Sequence, residues 1–293
     1  MVGRVLVLLA AVFWSTSGLF AKSPALAEIP VEDRAVCLTF WRAVFACLMV
    51  GIFIRRWQFD WRMVPMAACF AAMTWTFISA LVHIESGLAI WLQYLAPAWV
   101  VLFSWLFFRE SPDRTSRPML LFAAVGVGVI LGSQFLKLAN VSAWGITSAV
   151  VSGVTFAWVV IFLRRLRNCD ALLLVFFNQA VTALCLAPMA LTGYVPQGIQ
   201  WFYLVGFGVF QMGLPYLCFA LALRRISSHE ASGLGMLEPL LVPVWVYLAW
   251  GNRPDYQPPD WGTIFGGLLI LSGLILQLTL QVRRTWSHTK VAT

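Results

Sequence analysis

Long apolar runs separated by short polar linkers make up most of this chain. Each run is close to the roughly 17 to 25 residues that a helix needs to cross the hydrocarbon core of a bilayer. Helices are the natural choice, because lipid offers no hydrogen-bond partners to an open sheet edge. The pattern predicts ten membrane-spanning helices, which are Val5 to Ala21, Ala35 to Ile54, Met63 to Val82, Gly87 to Phe108, Met119 to Leu136, Ala143 to Leu163, Ala171 to Leu191, Trp201 to Leu223, Ala231 to Trp250 and Gly262 to Val282.

The second half of the chain repeats the plan of the first. The stretch Ser86 to Glu110 corresponds to Ser228 to Asn252, and Pro97 corresponds to Pro239, each pair being 142 positions apart. A constant offset indicates a duplicated unit. We expect a first five-helix repeat over residues 1–137 and a second over residues 138–293. Because five is odd, the second repeat enters the membrane from the opposite side, so the predicted fold is an all-α integral membrane protein built from two inverted repeats.

The basic residues of the linkers predict the orientation. The two alternating sets of linkers hold fifteen and four basic residues, and the richer set should lie in the cytoplasm. The richer set is Arg4, Arg55, Arg56, Arg62, Arg109, Arg114, Arg117, Arg164, Arg165, Arg167, Arg224, Arg225, Arg283, Arg284 and Lys290, and the poorer set is Lys22, Arg34, Lys137 and Arg253. Both termini are therefore predicted to be cytoplasmic, in a plasma membrane of the bacterial inner-membrane type.

Composition excludes several classes of protein. The chain is 61% hydrophobic and 11% charged with a mean hydropathy of +0.83, whereas soluble domains are about 25% charged. Its net charge of +8 is dispersed between apolar runs, which does not indicate a nucleic-acid partner. The six cysteines lack metal-ligand spacing, and no nucleotide-binding or hydrolase motif stands in a credible context. We expect no metal, no cofactor and no enzyme activity, and as partners the lipid bilayer and a small-molecule substrate.

Two charged residues fall inside predicted spans. Arg42 lies about seven residues, or roughly 10 Å, into the second span, and Glu238 lies a similar distance into the ninth. Arg42 is interpreted either as a site for a substrate carboxylate or as a structural arginine satisfied by helix-end carbonyls or by Gln93. Glu238 is interpreted either as a cation ligand or proton carrier, or as a structural residue bonded to Asn178 or to a backbone group.

Aromatic and amide side chains at similar depth complete the candidate site. The predicted substrate-binding residues are Arg42, Gln93, Tyr94, Trp91, Trp14, Trp41, Trp158, Asn178 and Tyr216. Pro97 and Pro239 are predicted helix breaks, since proline lacks the donor that continues a helix. His83 lies in a short turn, where it is either a gate or proton entry point or a solvated residue.

Small residues are spaced for close helix packing in the fifth and tenth spans. They are Ala124, Gly128 and Gly132 in one span and Gly262 and Gly266 in the other. Contact between helices of one chain is one use of this pattern, and dimerisation is the alternative. The protein is therefore expected to be a monomer or a homodimer.

Together these features resemble the drug/metabolite transporter superfamily, EamA-type, over about residues 5–282. The resemblance is carried by the two five-helix halves, a glycine-bearing fifth helix and the motifs Trp14-Ser15, Ala96-Pro97, Arg109-Glu110 and Leu237-Glu238-Pro239. It implies a secondary transporter with a substrate cavity between the halves. The family commonly ends its fourth and ninth helices in Gly-Glu, whereas this chain has Arg109-Glu110 and Gly251-Asn252.

One branch of that family, the aromatic amino acid exporters, is similar in having a tyrosine three residues before the fourth-helix proline, here Tyr94. Its aromatic residue directly before the proline is Ala96 here. We therefore expect an exporter of small organic metabolites such as amino acids, with aromatic amino acids favoured. The alternatives are an exporter of cationic drugs or other metabolites, a membrane scaffold without transport, and an intramembrane enzyme using Glu238 and His83.

Overall fold

A computed structural model describes residues 1–109, 116–136, 142–226, 228–254 and 256–291. Ten helical stretches within these ranges are long and apolar enough to cross a membrane, as predicted: Val2–Ala21, Val31–Gly51, Met63–His83, Ser86–Phe108, Arg117–Gln134, Ala143–Arg165, Ala171–Thr192, Ile199–Leu223, Gly233–Trp250 and Trp261–Arg283. Glu110, Arg114, Lys137 and the predicted repeat boundary between residues 137 and 138 lie outside the described residues.

Several spans are built from more than one helix. The helices are α1 (Val2–Ser15), α2 (Ser17–Ala21), α3 (Pro24–Ala27), α4 (Val31–Gly51), α5 (Met63–His83), α6 (Ser86–Gln93), α7 (Ala96–Phe108), α8 (Ser116–Leu136), α9 (Ala143–Arg165), α10 (Ala171–Thr192), α11 (Ile199–Gly206), α12 (Leu214–Leu223), α13 (Ser228–Gly235), α14 (Glu238–Trp250) and α15 (Trp261–Val291). A π-helix, Phe207–Gly213, joins α11 to α12 in the eighth span.

The fourth and ninth spans are broken at equivalent positions. Helices α6 and α7 begin and end 142 positions before α13 and α14, and the intervening turns are Tyr94-Leu95 and Met236-Leu237. Each proline predicted to break a span follows its turn. The ring of a proline displaces the carbonyl four residues earlier, which is that of Gln93 for Pro97 and that of Gly235 for Pro239. Those two residues are the last of α6 and α13.

Each broken span rests on a span of the other repeat. Helices α6 and α7 pack on α9 of the sixth span, and α13 and α14 pack on α1 of the first. Gly153 permits the first contact, because a Cβ there would lie 3.0 Å from the carbonyl oxygen of Leu92 and 3.2 Å from that of Gln93. The equivalent residue of the first repeat is Ala11, which is fully buried in α1. The two halves of the fold therefore interlock around their breaks.

The fourth and ninth spans meet each other at one end of the bundle. Helices α6 and α14 pack together there, and Gly18 of α2 joins them, since a Cβ on it would lie 2.8 Å from Val246 and 3.2 Å from Ser86. Toward the end where Arg4, Arg165 and Arg224 lie, which we call the arginine-rich end, α7 packs on α9 and α8 while α13 packs on α1, α12 and α15. Different neighbours thus hold the two helices at this end.

The fifth and tenth spans pack closely, through the predicted glycines in the tenth span but through another glycine in the fifth. A Cβ on Gly126 would lie 2.6 Å from the carbonyl oxygen of Gly266, and a Cβ on Gly266 would lie 2.5 Å from that of Gly126. A Cβ on Gly262 would lie 2.2 Å from the side chain of Ser133, whereas a Cβ on Gly128 or Gly132 would meet no heavy atom within 4 Å. Gly262 and Gly266 were correctly expected at the contact, and Gly128 and Gly132 lie off it. Dimerisation stays a prediction.

Replacing Gly266 with alanine should therefore lower the thermal stability of the purified protein. The added methyl group needs the two backbones to separate, and overpacking of this kind costs about 1 to 3 kcal/mol. Gly128→Ala is the matched control, which should leave the midpoint unchanged or slightly raised because alanine is the better helix former. Thermal unfolding in detergent measures both, and an equal loss in the two variants would contradict the proposed contact.

Candidate functional site

A hydrogen bond joins the two helix breaks. The Tyr94 hydroxyl, in the turn of the fourth span, donates to Oε2 of Glu238, the first residue after the turn of the ninth, at 3.0 Å. Both residues are only partly buried, although they lie in the middle of the bundle. Glu238 was interpreted as a cation ligand or proton carrier, or as a structural residue bonded to Asn178 or to a backbone group; the partner found is the Tyr94 hydroxyl, and the role of Glu238 stays a prediction.

The second polar centre is Arg42, which is 2% exposed. Helix α4 begins at Val31, four residues before the predicted start, so Arg42 lies about 16 Å along the helix, deeper than the 10 Å expected. Its Nη1 donates to Oε1 of Gln211 at 3.3 Å, and Nε2 of Gln211 donates to the carbonyl oxygen of Trp14 at 3.2 Å. The partner proposed from the sequence, Gln93, is not the one found.

The π-helix brings both partners of Arg42 into place. Phe207 and Gln211 each come from this segment, and the guanidinium carbon lies 5.1 Å from the centre of the Phe207 ring. Gly208 allows the approach, because a Cβ on it would lie 2.8 Å from the carbonyl oxygen of Arg42. π-Helical turns often mark functional sites, since the extra residue redirects side chains.

Aromatic rings lie between the two polar centres. Trp14 makes edge contact with Tyr216 at 5.1 Å between ring centres and packs against Phe219 at 5.3 Å. Tyr216 interacts electrostatically with both Arg42 and Glu238. Trp14, Tyr94, Tyr216 and Glu238 are all partly buried.

Gly235 lies beside the break of the ninth span. A Cβ on Gly233 would lie 2.9 Å from Leu278 of α15, whereas a Cβ on Gly235 would meet no heavy atom within 4 Å. Two residues along a helix point in nearly opposite directions, so Gly235 faces away from α15. It lies three residues before Glu238, on the side of the break toward the arginine-rich end.

Three of the predicted substrate-binding tryptophans contact other parts of the bundle. Trp91 is 4% exposed and packs against the backbone at Gly267 in α15. Trp158 stacks on Phe103 and lies against Phe107 and Phe162, and Trp41 makes edge contact with Trp201 at 4.5 Å. Gln93 is buried beside Gly153 at the end of α6. A substrate role for these four residues stays a prediction.

Asn178 is also buried, at 4% exposure, in α10. Its Oδ1 has no hydrogen-bond partner among the described residues, and neither amide atom of the neighbouring Gln179 has one. Buried amides without partners are uncommon and suit bound water or a polar ligand. Helix α10 packs on α4, the helix that carries Arg42. Asn178 thus remains a candidate of the same polar region.

His83 and Glu238 do not contact each other in this arrangement. The His83 Nδ1 lies 2.7 Å from the carbonyl oxygen of Ser79 in its own helix. The adjacent acid, Glu85, instead caps α6 by accepting hydrogen bonds from the backbone of Gly87 and Leu88. Burial raises the pKa of Glu85 to about 7, against the lowering effect of those two bonds and of Lys22. Glu238 and His83 therefore do not form the acid and base pair that an intramembrane enzyme using both residues would need.

Two residues of the site, Gln211 and Phe207, were not anticipated from the sequence. Both lie in an apolar run in which Gln211 is the single strongly polar position, between two glycines at Gly208 and Gly213. Arg42 was identified because a charged residue inside a membrane span is costly, and the same reasoning applied to a buried amide would have identified Gln211. The π-helix itself leaves no comparable mark on the sequence.

The fold and the site define a class of protein. Ten spans in two inverted repeats, with paired helix breaks and polar groups at the interface of the repeats, are the architecture of secondary transporters. The chain belongs to the EamA-like transporter family, whose model matches residues 1–132 and again residues 143–279. It is thus an integral membrane protein of a transporter family in the drug/metabolite transporter superfamily.

Several relatives are similar over nearly their whole length. An uncharacterized transporter of Archaeoglobus fulgidus is 24% identical, covering 94% of this chain and 95% of the relative. The pseudopaline exporter CntI of Pseudomonas aeruginosa is 25% identical over 93% and 94%, and the uncharacterized inner membrane transporter YicL of Salmonella typhimurium is 26% identical over 96% of each. A solved crystal structure matches with a TM-score of 0.62 at 20% identity, covering 95% of this chain and 97% of that one, which supports the fold alone.

Proposed function

We propose that this transporter exports small zwitterionic metabolites, with amino acids as the favoured class. The observation that carries the proposal is that Arg42 and Glu238, a cation and an acid inside the bundle, are not paired with each other. Among the residues that the structure describes, Arg42 forms no ion pair, and its Nε has no hydrogen-bond partner. Glu238 is bonded to the neutral hydroxyl of Tyr94.

Charges buried in this way are costly unless a partner compensates them. A charged side chain at the centre of a membrane helix costs about 2.5 to 3.5 kcal/mol on insertion scales, and a hydrogen bond to a charged group returns only about 1.5 to 3 kcal/mol. A substrate that carries both charges would supply the missing partners at once. Its carboxylate would bind the guanidinium of Arg42, and its ammonium group would bind the carboxylate of Glu238.

The aromatic residues between the charges favour a planar or apolar side chain on the substrate. Trp14 and Tyr216 lie between Arg42 and Glu238, and an aromatic contact contributes about 0.5 to 1.5 kcal/mol beyond the burial of its area. This supports aromatic amino acids within the class. Trp91, Trp41 and Trp158 are left out of the proposed binding site because other side chains occupy their rings.

The proposed direction rests on the charges and on the packing of the broken spans. The excess of arginine predicts that the arginine-rich end is cytoplasmic, and α6 packs on α14 toward the other end. Both termini would then be cytoplasmic, and the arrangement corresponds to an inward-facing state ready to load from the cell. Export requires the seal formed by α2, α6 and α14 to open while α7 and α13 approach each other. A relative named as an exporter supports this direction.

Labelling tests the orientation. Single cysteines at Arg165 and Gln197, in a chain whose native cysteines are replaced, should react with an impermeant maleimide from opposite sides of the membrane. We expect Gln197 to react in intact cells and Arg165 only in inside-out vesicles, because these residues lie at opposite ends of the bundle. Reaction of Arg165 in intact cells would reverse the proposed orientation.

An exporter of organic cations is the second candidate, because Glu238 and the rings of Trp14 and Tyr216 also suit a cation. The two candidate functions differ in their use of Arg42, because a cation without a carboxylate has no group that this arginine could bind. A substrate of this kind would also be repelled by the guanidinium. Amino acids use both charged groups, and for this reason we rank them first.

Cells that overproduce the protein should resist toxic aromatic amino acid analogues, and Arg42→Lys should remove this resistance. A lysine provides a point charge in place of the planar fork that binds a carboxylate through two bonds, so we expect counterflow of L-phenylalanine in proteoliposomes to fall at least about tenfold. Arg165→Lys is the control, since Arg165 packs on Phe108 at the arginine-rich end, away from the proposed site. Wild-type export of cationic dyes without resistance to the analogues would reverse the ranking.

A further inference from the structure

The contact between Gln211 and Arg42 has a defined polarity. An arginine can only donate hydrogen bonds and a main-chain carbonyl can only accept them. The amide of Gln211 must therefore turn its oxygen toward Arg42 and its nitrogen toward the carbonyl of Trp14, as the structure has it. Both partners of the amide are thus fixed, and the side chain links the second, eighth and first spans in one orientation.

The contact between Gln211 and Arg42 contains no negative charge. Gln211 is 3% exposed and neutral, so it orients one N–H group of Arg42 but leaves the positive charge uncompensated. The Nε of the same guanidinium has no partner within the described ranges. Phe207, the other partner from the π-helix, is also uncharged. A glutamate at position 211 would have the same shape as glutamine and would compensate Arg42 completely.

We propose that the neutral amide of Gln211 determines the substrate specificity of the transporter, by holding Arg42 in place while reserving its charge for the carboxylate of the substrate. This inference rests on the proposed function. In it Gln211 is a positioning residue, and its effect is read through Arg42. The cavity of the wild-type protein then contains one fixed cation and one acid, Arg42 and Glu238, and suits a zwitterion.

Gln211→Glu should convert this preference. The introduced carboxylate pairs with Arg42 and competes with the carboxylate of the substrate, while Glu238 still attracts an ammonium group. The variant should therefore favour an amine that lacks the carboxylate. The charged pair with Arg42 offsets the loss of the hydrogen bond that the Gln211 amide donates to the carbonyl oxygen of Trp14, so a folded variant is expected.

The experiment compares two probes that differ only by the carboxylate, L-phenylalanine and phenethylamine, whose binding to purified protein in detergent is measured by calorimetry. The wild-type protein should prefer phenylalanine, and in Gln211→Glu the ratio of the two affinities should shift by at least about tenfold toward the amine. Gln211→Met, which is apolar and of similar length, should weaken phenylalanine binding but should not create a preference for the amine. Gln200→Glu is the matched control, because Gln200 is a buried glutamine away from Arg42 whose Oε1 accepts a hydrogen bond from the backbone of Gln197, a bond that glutamate can keep.

The outcomes separate this inference from the proposed function. If the wild-type protein prefers phenylalanine and Gln211→Glu keeps that preference, the role of Gln211 is overturned and the proposed function stands. If the wild-type protein binds phenethylamine as well as phenylalanine, or binds neither, the amino acid proposal fails and this inference fails with it. A shift of equal size in Gln200→Glu would show a general effect of added charge and would also overturn the role of Gln211. Should Gln211→Glu not fold, an unchanged phenylalanine affinity in Gln211→Met overturns it alone.

Discussion

The hydrogen bond from Tyr94 to Glu238 is the constraint around which this structure is arranged. It connects the two places where the inverted repeats are broken, and each break exists because a proline removes one helical hydrogen bond. On the side of the bond away from the arginine-rich end, α6 and α14 pack together. On the side toward that end, α7 and α13 have different neighbours. The bond therefore joins the two repeats next to the place where α6 packs on α14.

The favourable and unfavourable energies of the Tyr94–Glu238 pair are nearly balanced. The bond offsets much of the cost of placing a carboxylate inside the membrane but adds little net stability, because the two quantities are of similar size. Arg42 is in the same situation, held by one neutral amide and one aromatic ring. A protein in which both charges were fully paired would be more stable and would have less to offer a substrate.

Much of the fold could be predicted because it depends on local patterns. The ten apolar runs, the offset of 142 positions and the two prolines were enough to predict the spans, the inverted repeats and both breaks. The site was harder, because it depends on which side of each helix faces a neighbour. Arg42 was identified by its charge, yet its partner Gln211 lies 169 positions away and is turned toward it by a π-helix. Depth alone selected Trp91 and Trp158 as candidates, although packing on Gly267 and Phe103 occupies both rings.

The most direct test is a double-mutant cycle on the bond between the breaks. Tyr94→Phe, Glu238→Gln and the double variant each keep the shape of the side chains, and their stabilities in detergent give the coupling between the two residues. Our account predicts a coupling of about 0.5 to 3 kcal/mol, as for other directly bonded pairs, together with a higher accessibility of α14 to impermeant reagents in each single variant. Strictly additive effects, with unchanged accessibility, would contradict the claim that this bond connects the two repeats.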